Sequence, residues 1–413
     1  MNVPATSGDM EQYLERYVCD GQMHLVMEFA SPLDEERLRR AARLVLEVEP
    51  VLACRWEGGR RPYWKHREGI YSLSSFMLVP CEDPMAEVMG FMATRSDPSI
   101  DPLVQVRLFR GRTDMVCIKL SHSVSDVHGL KHVAYLLCGL YNGEMPENLP
   151  SEDRTAMPIF DLARTETEKG TPWPLDAKRR GTIWSLPFTS RDAQGAMSLM
   201  RTFDAETCHT ILMFAAGKGH SLEDVFLAAF MVSALQVMNP KEGVVVPFQA
   251  TYDLRHLAEG KGADVANLTG RTSIEIAMHG GMRLEDALVA IKVCQGPDGR
   301  PRGPIPVFHI GPFTSFDTVR TKYEEEVDLA LKARVSPPLW VRAGSIDKAR
   351  LGFQGLAPSS AFIFAPTTYP PMLQACLSEF DGSTTVGIGF SSYGTDENDI
   401  RAIMEGMAAV LPR

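Results

Sequence analysis

The chain has 413 residues, of which 45% belong to the hydrophobic set AVILMFWYC and 23% are charged. These fractions are ordinary for a globular protein and exclude a disordered or collagen-like chain. The formal net charge of −10 argues against a nucleic-acid binder, because binding to phosphates requires a basic surface. At roughly 100–200 residues per domain, the length allows two or three domains.

The eight cysteines lie scattered in apolar runs, and none forms a C-x-x-C pair. This distribution is typical of buried free thiols in a reducing compartment, so it predicts a cytoplasmic protein. The N-terminal segment has no basic stretch followed by an apolar one, and no secretory signal is expected. No run of about 18 apolar residues occurs, so we also expect no membrane span.

The first 150 residues carry strong helix and strand patterns. An apolar stripe at a spacing of three to four residues predicts a helix, and alternating or continuous short apolar runs predict strands. These patterns predict, in chain order, a strand over 23–30, helices over 34–47 and 84–95, a hairpin of strands 103–110 and 114–120, and a helix over 128–141.

The region 151–195 is rich in proline and charge and shows no steady periodicity, so it is interpreted as a crossover linker. The chain after it resumes with predicted strands over 198–203, 243–252, 361–366 and 384–392 and helices over 205–217, 222–238 and 397–410. We therefore predict an N-terminal subdomain over 1–150 and a C-terminal subdomain over 196–413. Strands and helices alternate irregularly, which predicts an α/β protein with open mixed sheets rather than a barrel.

The segment KLSHSVSDVHG places His122 directly after a buried strand and Asp126 directly before an amphipathic helix. A histidine suits proton transfer near neutrality, and such a junction can hold it rigidly while leaving it open to a ligand. Spacing alone, however, favours the plainer interpretation of a junction histidine followed by a helix-capping aspartate.

Two other chemistries compete for the same segment. His122, Asp126, His128 and His132 lie within eleven residues, and such a spacing can hold zinc, although the H-E-x-x-H pattern is absent. Covalent catalysis would need a nucleophile, and the chain has no G-x-S-x-G elbow and no recognisable cysteine signature. Phosphate-binding loops of the G-x-x-x-x-G-K-[ST] and G-x-G-x-x-G types are absent as well.

A second polar segment, ATYDLRHL followed by ANLTG, comes after the predicted strand over 243–252. It carries Asp253, Arg255, Asn267 and Gly270. An arginine at a strand end usually pairs with a carboxylate or caps a carbonyl, so this segment alone identifies no chemistry.

The order of H-x-x-x-D, D-L-R and N-x-x-G resembles the chloramphenicol acetyltransferase-like superfamily, which contains the condensation domains of peptide synthetases and stand-alone alcohol O-acyltransferases. The resemblance covers the chain from about Glu11 to Leu411. It implies two similar α/β subdomains in a V shape, with mixed sheets and the active site in a central tunnel. Since no carrier-protein or adenylation module fits within 413 residues, a stand-alone enzyme is expected.

The resemblance also implies a division of labour in the site. His122 faces the tunnel as the general base, and Asp126 points away and pairs with Arg255. The remaining residues of the second motif are candidate contacts, namely Asp253, Asn267 and Gly270. The donor is a thioester on coenzyme A or on an acyl carrier protein, and the acceptor is a small molecule. No permanently bound cofactor and no metal are implied.

We therefore expect an acyltransferase that moves an acyl group from a thioester to an alcohol. The alternatives are a condensation-type enzyme that forms amides, or a catalytically silent binding protein on the same fold. The chain departs from the family pattern at Ser121, commonly histidine, and at Val127, commonly glycine. A β-branched residue restricts a turn where glycine is permissive, and Gly129 is expected to relax the bend.

Overall fold

The computed structural model describes residues 2–70, 73–146, 154, 184–190, 194–258, 263–296, 298–302 and 314–413. The helices in this part of the chain are α1 (Ser7–Glu15), α2 (Glu35–Val48), α3 (Pro84–Ala93), α4 (Val127–Asn142), α5 (Ala205–Lys218), α6 (Leu222–Met238), α7 (Leu284–Val293), α8 (Phe316–Ala333) and α9 (Glu397–Val410). The strands are β1 (Asn2–Pro4), β2 (Gln22–Phe29), β3 (Cys54–Glu57), β4 (Tyr63–His66), β5 (Phe76–Pro80), β6 (Val104–Arg110), β7 (Asp114–Ser121), β8 (Ala196–Phe203), β9 (Val245–Asp253), β10 (Thr269–Ala277), β11 (Leu339–Ser345), β12 (Ser360–Phe364), β13 (Gln374–Phe380) and β14 (Ser383–Ser391).

A five-stranded sheet in the order β12-β2-β7-β6-β5 forms the frame on one side of the molecule. Its strand β7 is buried at every residue and pairs antiparallel with both β2 and β6. A strand with neighbours on both edges and cover on both faces needs an almost continuous apolar run, which is the pattern seen in the sequence. Because β7 ends at Ser121, His122 begins the loop that leaves this sheet.

A six-stranded mixed sheet in the order β10-β9-β11-β13-β14-β8 forms the second frame. Strands β9 and β10 are antiparallel, and Asp253 at the end of β9 is level with Thr269 at the start of β10. The connection between them therefore leaves and re-enters the sheet at one end. This connection carries the D-L-R and N-x-x-G segments. A smaller sheet in the order β1-β4-β3 completes the described strands.

Strand β12 belongs to the C-terminal half of the chain but lies in the sheet of the N-terminal half. It follows 359 residues of chain and lies beyond the predicted linker, yet it pairs antiparallel with β2, with Ile363 opposite Leu25. The sheet that consists otherwise of N-terminal strands is thus completed by the C-terminal half. The subdomain boundaries stay a prediction, and most of the proposed linker over 151–195 lies outside the described residues.

Side chains from both halves of the chain share one large buried apolar cluster. All eight cysteines are free; six are buried, and Cys81 and Cys294 are partly exposed. No single helix in the described part is long and apolar enough to cross a membrane. Helices α5 and α6 reach that length and composition only as a pair that is bent by 96°.

Candidate active site

A cavity lies where α1 meets the loop after β7 and strands β9 to β11. Helix α1, the loop after β7, the chain after β12 and strands of the six-stranded sheet contribute to its wall, so the tertiary fold and not one local segment creates it. The wall consists of Gly8, Glu11, Gln12, Glu15, His122, Asp126, Val127, Thr251, Asn267, Thr269, Arg271, Leu339, Val341, Ala365, Pro366 and Gln374.

The imidazole of His122 is half-buried in this wall and is fixed by one hydrogen bond. Its Nδ1 lies 2.8 Å from the carbonyl oxygen of Ser125, which is three residues further along the same loop. A carbonyl can only accept, so Nδ1 carries the proton and Nε2 keeps the lone pair. Burial lowers the pKa of His122, with the charge of Glu15 partly opposing the shift. The ring is therefore held as a neutral base.

The carboxylate of Asp126 is almost fully buried and accepts hydrogen bonds from the start of α4, from the start of β10 and from Arg255. Its Oδ1 accepts the backbone N–H groups of His128 and Gly129, both at 3.1 Å, and so caps α4. Its Oδ2 accepts from the Leu268 backbone N–H at 2.8 Å and from the Thr269 hydroxyl at 3.0 Å. Asp126 thus joins the loop after β7 to the start of β10.

Arg255 provides the counter-charge of Asp126. Its Nη1 lies 3.0 Å from Asp126 Oδ2 and 3.1 Å from Asp253 Oδ1. Burial alone would raise the pKa of Asp126, but the charge of Arg255 and the hydrogen bonds hold that pKa well below its usual range. The structure therefore brings together two residues that are 129 positions apart in sequence.

The other three residues of the second motif are placed differently from one another. Asn267 lines the cavity, and its Nδ2 donates to the carbonyl oxygen of His122 at 3.0 Å. Asp253 accepts hydrogen bonds from the backbone and the guanidinium of Arg255 and is not among the lining residues. Gly270 lies within β10 opposite Tyr252 and does not line the cavity either. Of the three, only Asn267 is placed to contact a ligand in the cavity.

A buried ion pair supports the loop of His122 from behind. Arg154 Nη1 lies 2.8 Å from Asp9 Oδ2, and Arg154 Nη2 donates to the Val124 carbonyl at 2.6 Å. Asp9, which is fully buried in α1, also accepts from Trp64 Nε1 at 2.9 Å and from Asn267 Nδ2 at 3.1 Å. This network ties α1, the histidine loop and the segment before β10 into one unit.

The expectation that Val127 strains a turn is wrong. Asp126 is the N-cap of α4 in an extended conformation, and Val127 is the first residue of the helix and has no positive φ. A β-branched residue is compatible with that position. Gly129 has a different role from the one expected: a Cβ there would lie 1.9 Å from Ser125 Oγ and 3.0 Å from the Asp264 carbonyl oxygen. Gly129 permits this close approach and relaxes no bend.

The histidines of the competing metal interpretation diverge in the structure. His128 Nδ1 lies 3.6 Å from Asp253 Oδ2, whereas His132 Nε2 lies 3.0 Å from Glu49 Oε1. Within the described residues, no group of three or more His, Cys, Asp or Glu side chains is placed to hold a metal ion. The described lining residues also include no serine and no cysteine.

Seven polar cavity residues were not predicted from the sequence. They are Glu11, Gln12 and Glu15 on α1, Thr251 on β9, Thr269 and Arg271 on β10, and Gln374 on β13. Glu15 and Arg271 form a short ion pair across the cavity wall. The spacing of Glu11 and Glu15, one helical turn apart, was the only signal available, and the same spacing is typical of a solvent-facing helix stripe.

The carboxyl group of Glu11 predicts a pH-dependent stability. Burial raises its pKa from the ordinary value of 4.5 to about 8, with Arg271 opposing the shift and Glu15 adding to it. The unfolded chain loses this proton at a lower pH than the folded chain, so the free energy of unfolding falls as pH rises from about 4.5 to 8. Glu11→Gln should therefore flatten the decline, as measured by urea unfolding at several pH values. Glu405→Gln on the exposed surface of α9 is the matched control, and identical profiles for both variants would contradict the assignment.

Comparison with known proteins gives similarity of structure only. No family model matches the chain, and no curated protein matches its sequence. Among solved structures, the trichothecene 15-O-acetyltransferase from Fusarium sporotrichioides is 13% identical, with a TM-score of 0.70 over 99% of this chain and 94% of that one. Polyketide synthase associated protein 5 from Mycobacterium tuberculosis is 14% identical, with a TM-score of 0.62 over 98% and 96% of the two chains.

A condensation domain shows the same likeness. The first condensation domain of the CDA synthetase is 16% identical, with a TM-score of 0.63 over 100% of this chain and 97% of that one. The acetyltransferase and condensation domains share the chloramphenicol acetyltransferase-like fold. The chain therefore has this fold, and the α/β class with mixed sheets predicted from the sequence is confirmed.

Proposed function

We propose that the protein is an acyltransferase that moves an acyl group from a thioester donor to the hydroxyl of a small-molecule acceptor, with His122 as the general base. The observation that carries the proposal is the placement of His122 in the cavity wall with Nδ1 held by the Ser125 carbonyl. This arrangement leaves Nε2 unprotonated and free to take a proton from a bound hydroxyl.

The reaction balances with His122 alone as the proton carrier. The acceptor hydroxyl gives its proton to Nε2 while its oxygen attacks the thioester carbonyl. The C–O bond forms, the C–S bond breaks, and the proton passes from His122 to the sulfur, which leaves as a free thiol. A thioester is already activated, so positioning plus one base is sufficient and no covalent acyl-enzyme is required.

Asp126 and Arg255 act as positioning residues in this proposal. Both are hydrogen-bonded to the segments that carry the cavity wall, and Asp126 caps the helix that follows His122. The donor is acyl-CoA or an acyl carrier protein that presents the thioester on a phosphopantetheine arm. The proposed mechanism uses no permanently bound cofactor and no metal ion.

Direct attack by the acceptor predicts sequential kinetics. The protein should release free thiol from a member of an acyl-CoA panel only when an alcohol acceptor is present, and double-reciprocal lines should intersect. EDTA should leave the rate unchanged, and mass spectrometry after incubation with donor alone should show no added acyl mass. Parallel lines together with an acylated side chain would contradict the mechanism, because ping-pong kinetics accompany a covalent intermediate.

Amide formation is a second candidate, favoured by the likeness to condensation domains. In that reaction the attacking group is a neutral amine, and the donor is bound to a carrier protein. Thiol release with an acylated carrier protein and amines, but not with acyl-CoA and alcohols, would support it. Absence of thiol release with either donor would support a binding protein on the same fold.

A further inference from the structure

Helix α1 turns a polar face toward the cavity. Glu11, Gln12 and Glu15 lie three, four and seven residues after Gly8, which places all four on one side of a helix. Gly8 lets the helix approach closely, because a Cβ there would lie 2.8 Å from both Cβ and the carbonyl oxygen of Asn267. The polar face therefore lies directly against the segment that precedes β10.

This wall holds more carboxyl groups than guanidinium groups. The carboxylate of Glu15 is paired with Arg271. The carboxyl group of Glu11 makes no hydrogen bond and no ion pair of 4 Å or less with any residue in the described part of the chain, and Glu11 lines the cavity. Two carboxyl groups therefore share one guanidinium group. When both are ionised, this part of the wall carries one excess negative charge.

Two further polar groups of the wall lack a partner. Asn267 and Gln12 are 5% and 8% exposed, and Asn267 Oδ1 and Gln12 Oε1 accept no hydrogen bond from the described residues. The orientation of the Asn267 amide is fixed, because its Nδ2 donates to Asp9 and to the carbonyl of His122. Arg271 Nη1 on the same wall likewise donates to no acceptor among the residues that the structure describes. A buried group without a partner is costly, which points to a ligand that supplies one.

We propose that the acceptor of the acyl group carries a protonated amine, which binds against Glu11 and the oxygens of Asn267 and Gln12. This inference rests on the proposed function, because it assigns the substrate class of the same cavity. The ammonium group stays protonated and does not react; a separate hydroxyl on the same molecule is the one that faces His122. The acceptor is thus an amino alcohol.

An ammonium group fits this wall better than a neutral hydroxyl. It supplies three N–H donors and no acceptor, and it restores the charge balance of Glu11, Glu15 and Arg271. A hydroxyl would satisfy an oxygen but leave the excess carboxylate unmatched, so Glu11 would have to keep its proton. The pKa of Glu11 is raised to about 8, so Glu11 is protonated at pH 7 while the cavity is empty. A bound ammonium group displaces this proton.

Binding can be tested without any acyl donor, using 6-aminohexan-1-ol and 1,6-hexanediol as probes that differ in one terminal group. Isothermal titration calorimetry of the full chain at pH 7 should show the amino alcohol binding about tenfold more tightly than the diol. Its apparent binding enthalpy should differ between phosphate and Tris buffers, because the proton of Glu11 is released. The diol should show no such difference.

Glu11→Gln should abolish the preference, and Glu405→Gln should leave it unchanged. Equal affinities for the two probes, no binding of either, or a preference that survives in Glu11→Gln would overturn the proposal. The comparison of the two probes on the unaltered protein keeps the test decisive even if the Glu11 variant does not fold. Because no thioester is present, a failure of acyl transfer in the kinetic assay is a separate result and would overturn the proposed function alone.

Discussion

Replacing His122 with alanine is expected to lower turnover by ~10²–10⁴-fold while leaving the fold intact, which is the usual contribution of a general base. The side chain is half-buried at the cavity wall, and its one internal hydrogen bond goes to the Ser125 carbonyl in the same loop. The measurement is the rate of thiol release at saturating donor and acceptor. Circular dichroism and thermal unfolding of the variant show whether the structure is retained.

His128→Ala is the matched control for this prediction. His128 lies six residues further along the chain, is also partly exposed, and faces Asp253 at 3.6 Å instead of lining the cavity. Its removal should change the rate far less than removal of His122. If His128→Ala abolished activity and His122→Ala did not, the assignment of the base would be wrong.

The second large effect is expected from Asp126→Asn, which should both destabilise the protein and slow it. Removing the charge of one partner in a buried pair costs ~3–5 kcal/mol, because the charge of the other partner is left uncompensated. Here Arg255 would lose its buried counter-ion and keep only the partly exposed Asp253, and the hydrogen bonds to Leu268 and Thr269 would weaken. Urea unfolding of the variant and the unaltered protein at pH 7 measures the difference.

The pKa of Asp126 fixes the direction of the pH effect. Because its pKa is lower in the folded than in the unfolded chain, its contribution is fully present above about 3.9 and is lost as pH falls toward the folded value. The stability difference between Asp126→Asn and the unaltered protein should therefore shrink below pH ~4.

A double-mutant cycle tests the pairing itself. Arg255→Met alone should also be strongly destabilising, and the combined variant should lose much less than the sum of the two single losses. Additive losses would mean that Asp126 and Arg255 do not interact in solution, and the 3.0 Å contact would then have no energetic role.

Local patterns in the sequence predicted the elements that carry the histidine. The apolar run of β7, the stripe of α4 and the position of His122 between them follow from a few neighbouring residues, and the hairpin of β6 and β7 is marked by its Gly-Arg-Thr turn. Helices α6 and α9 were predicted with their observed bounds. In these segments, local propensity and tertiary burial favour the same structure.

The features that the sequence did not predict depend on contacts between segments that are far apart in the chain. The pairing of Arg255 with Asp126 followed from the family resemblance and not from spacing, since 129 positions separate the two residues. The ion pair of Glu15 with Arg271 spans 256 positions and carries no local sign at all. Helix α1 was not predicted, because the polar residues that face the cavity make its stripe look like a solvated one.

Strand β12 has a consequence for how the chain is made. Strand β2 is buried along nearly its whole length and is mostly apolar, and β12 covers the edge that it would otherwise present. During synthesis this edge stays open until residue 364 has left the ribosome, long after the other strands of the sheet have emerged. An open apolar edge is a template for pairing with other chains. The nascent N-terminal half is therefore prone to aggregation, and a fragment that ends before β12 should be insoluble even though it contains His122 and Asp126.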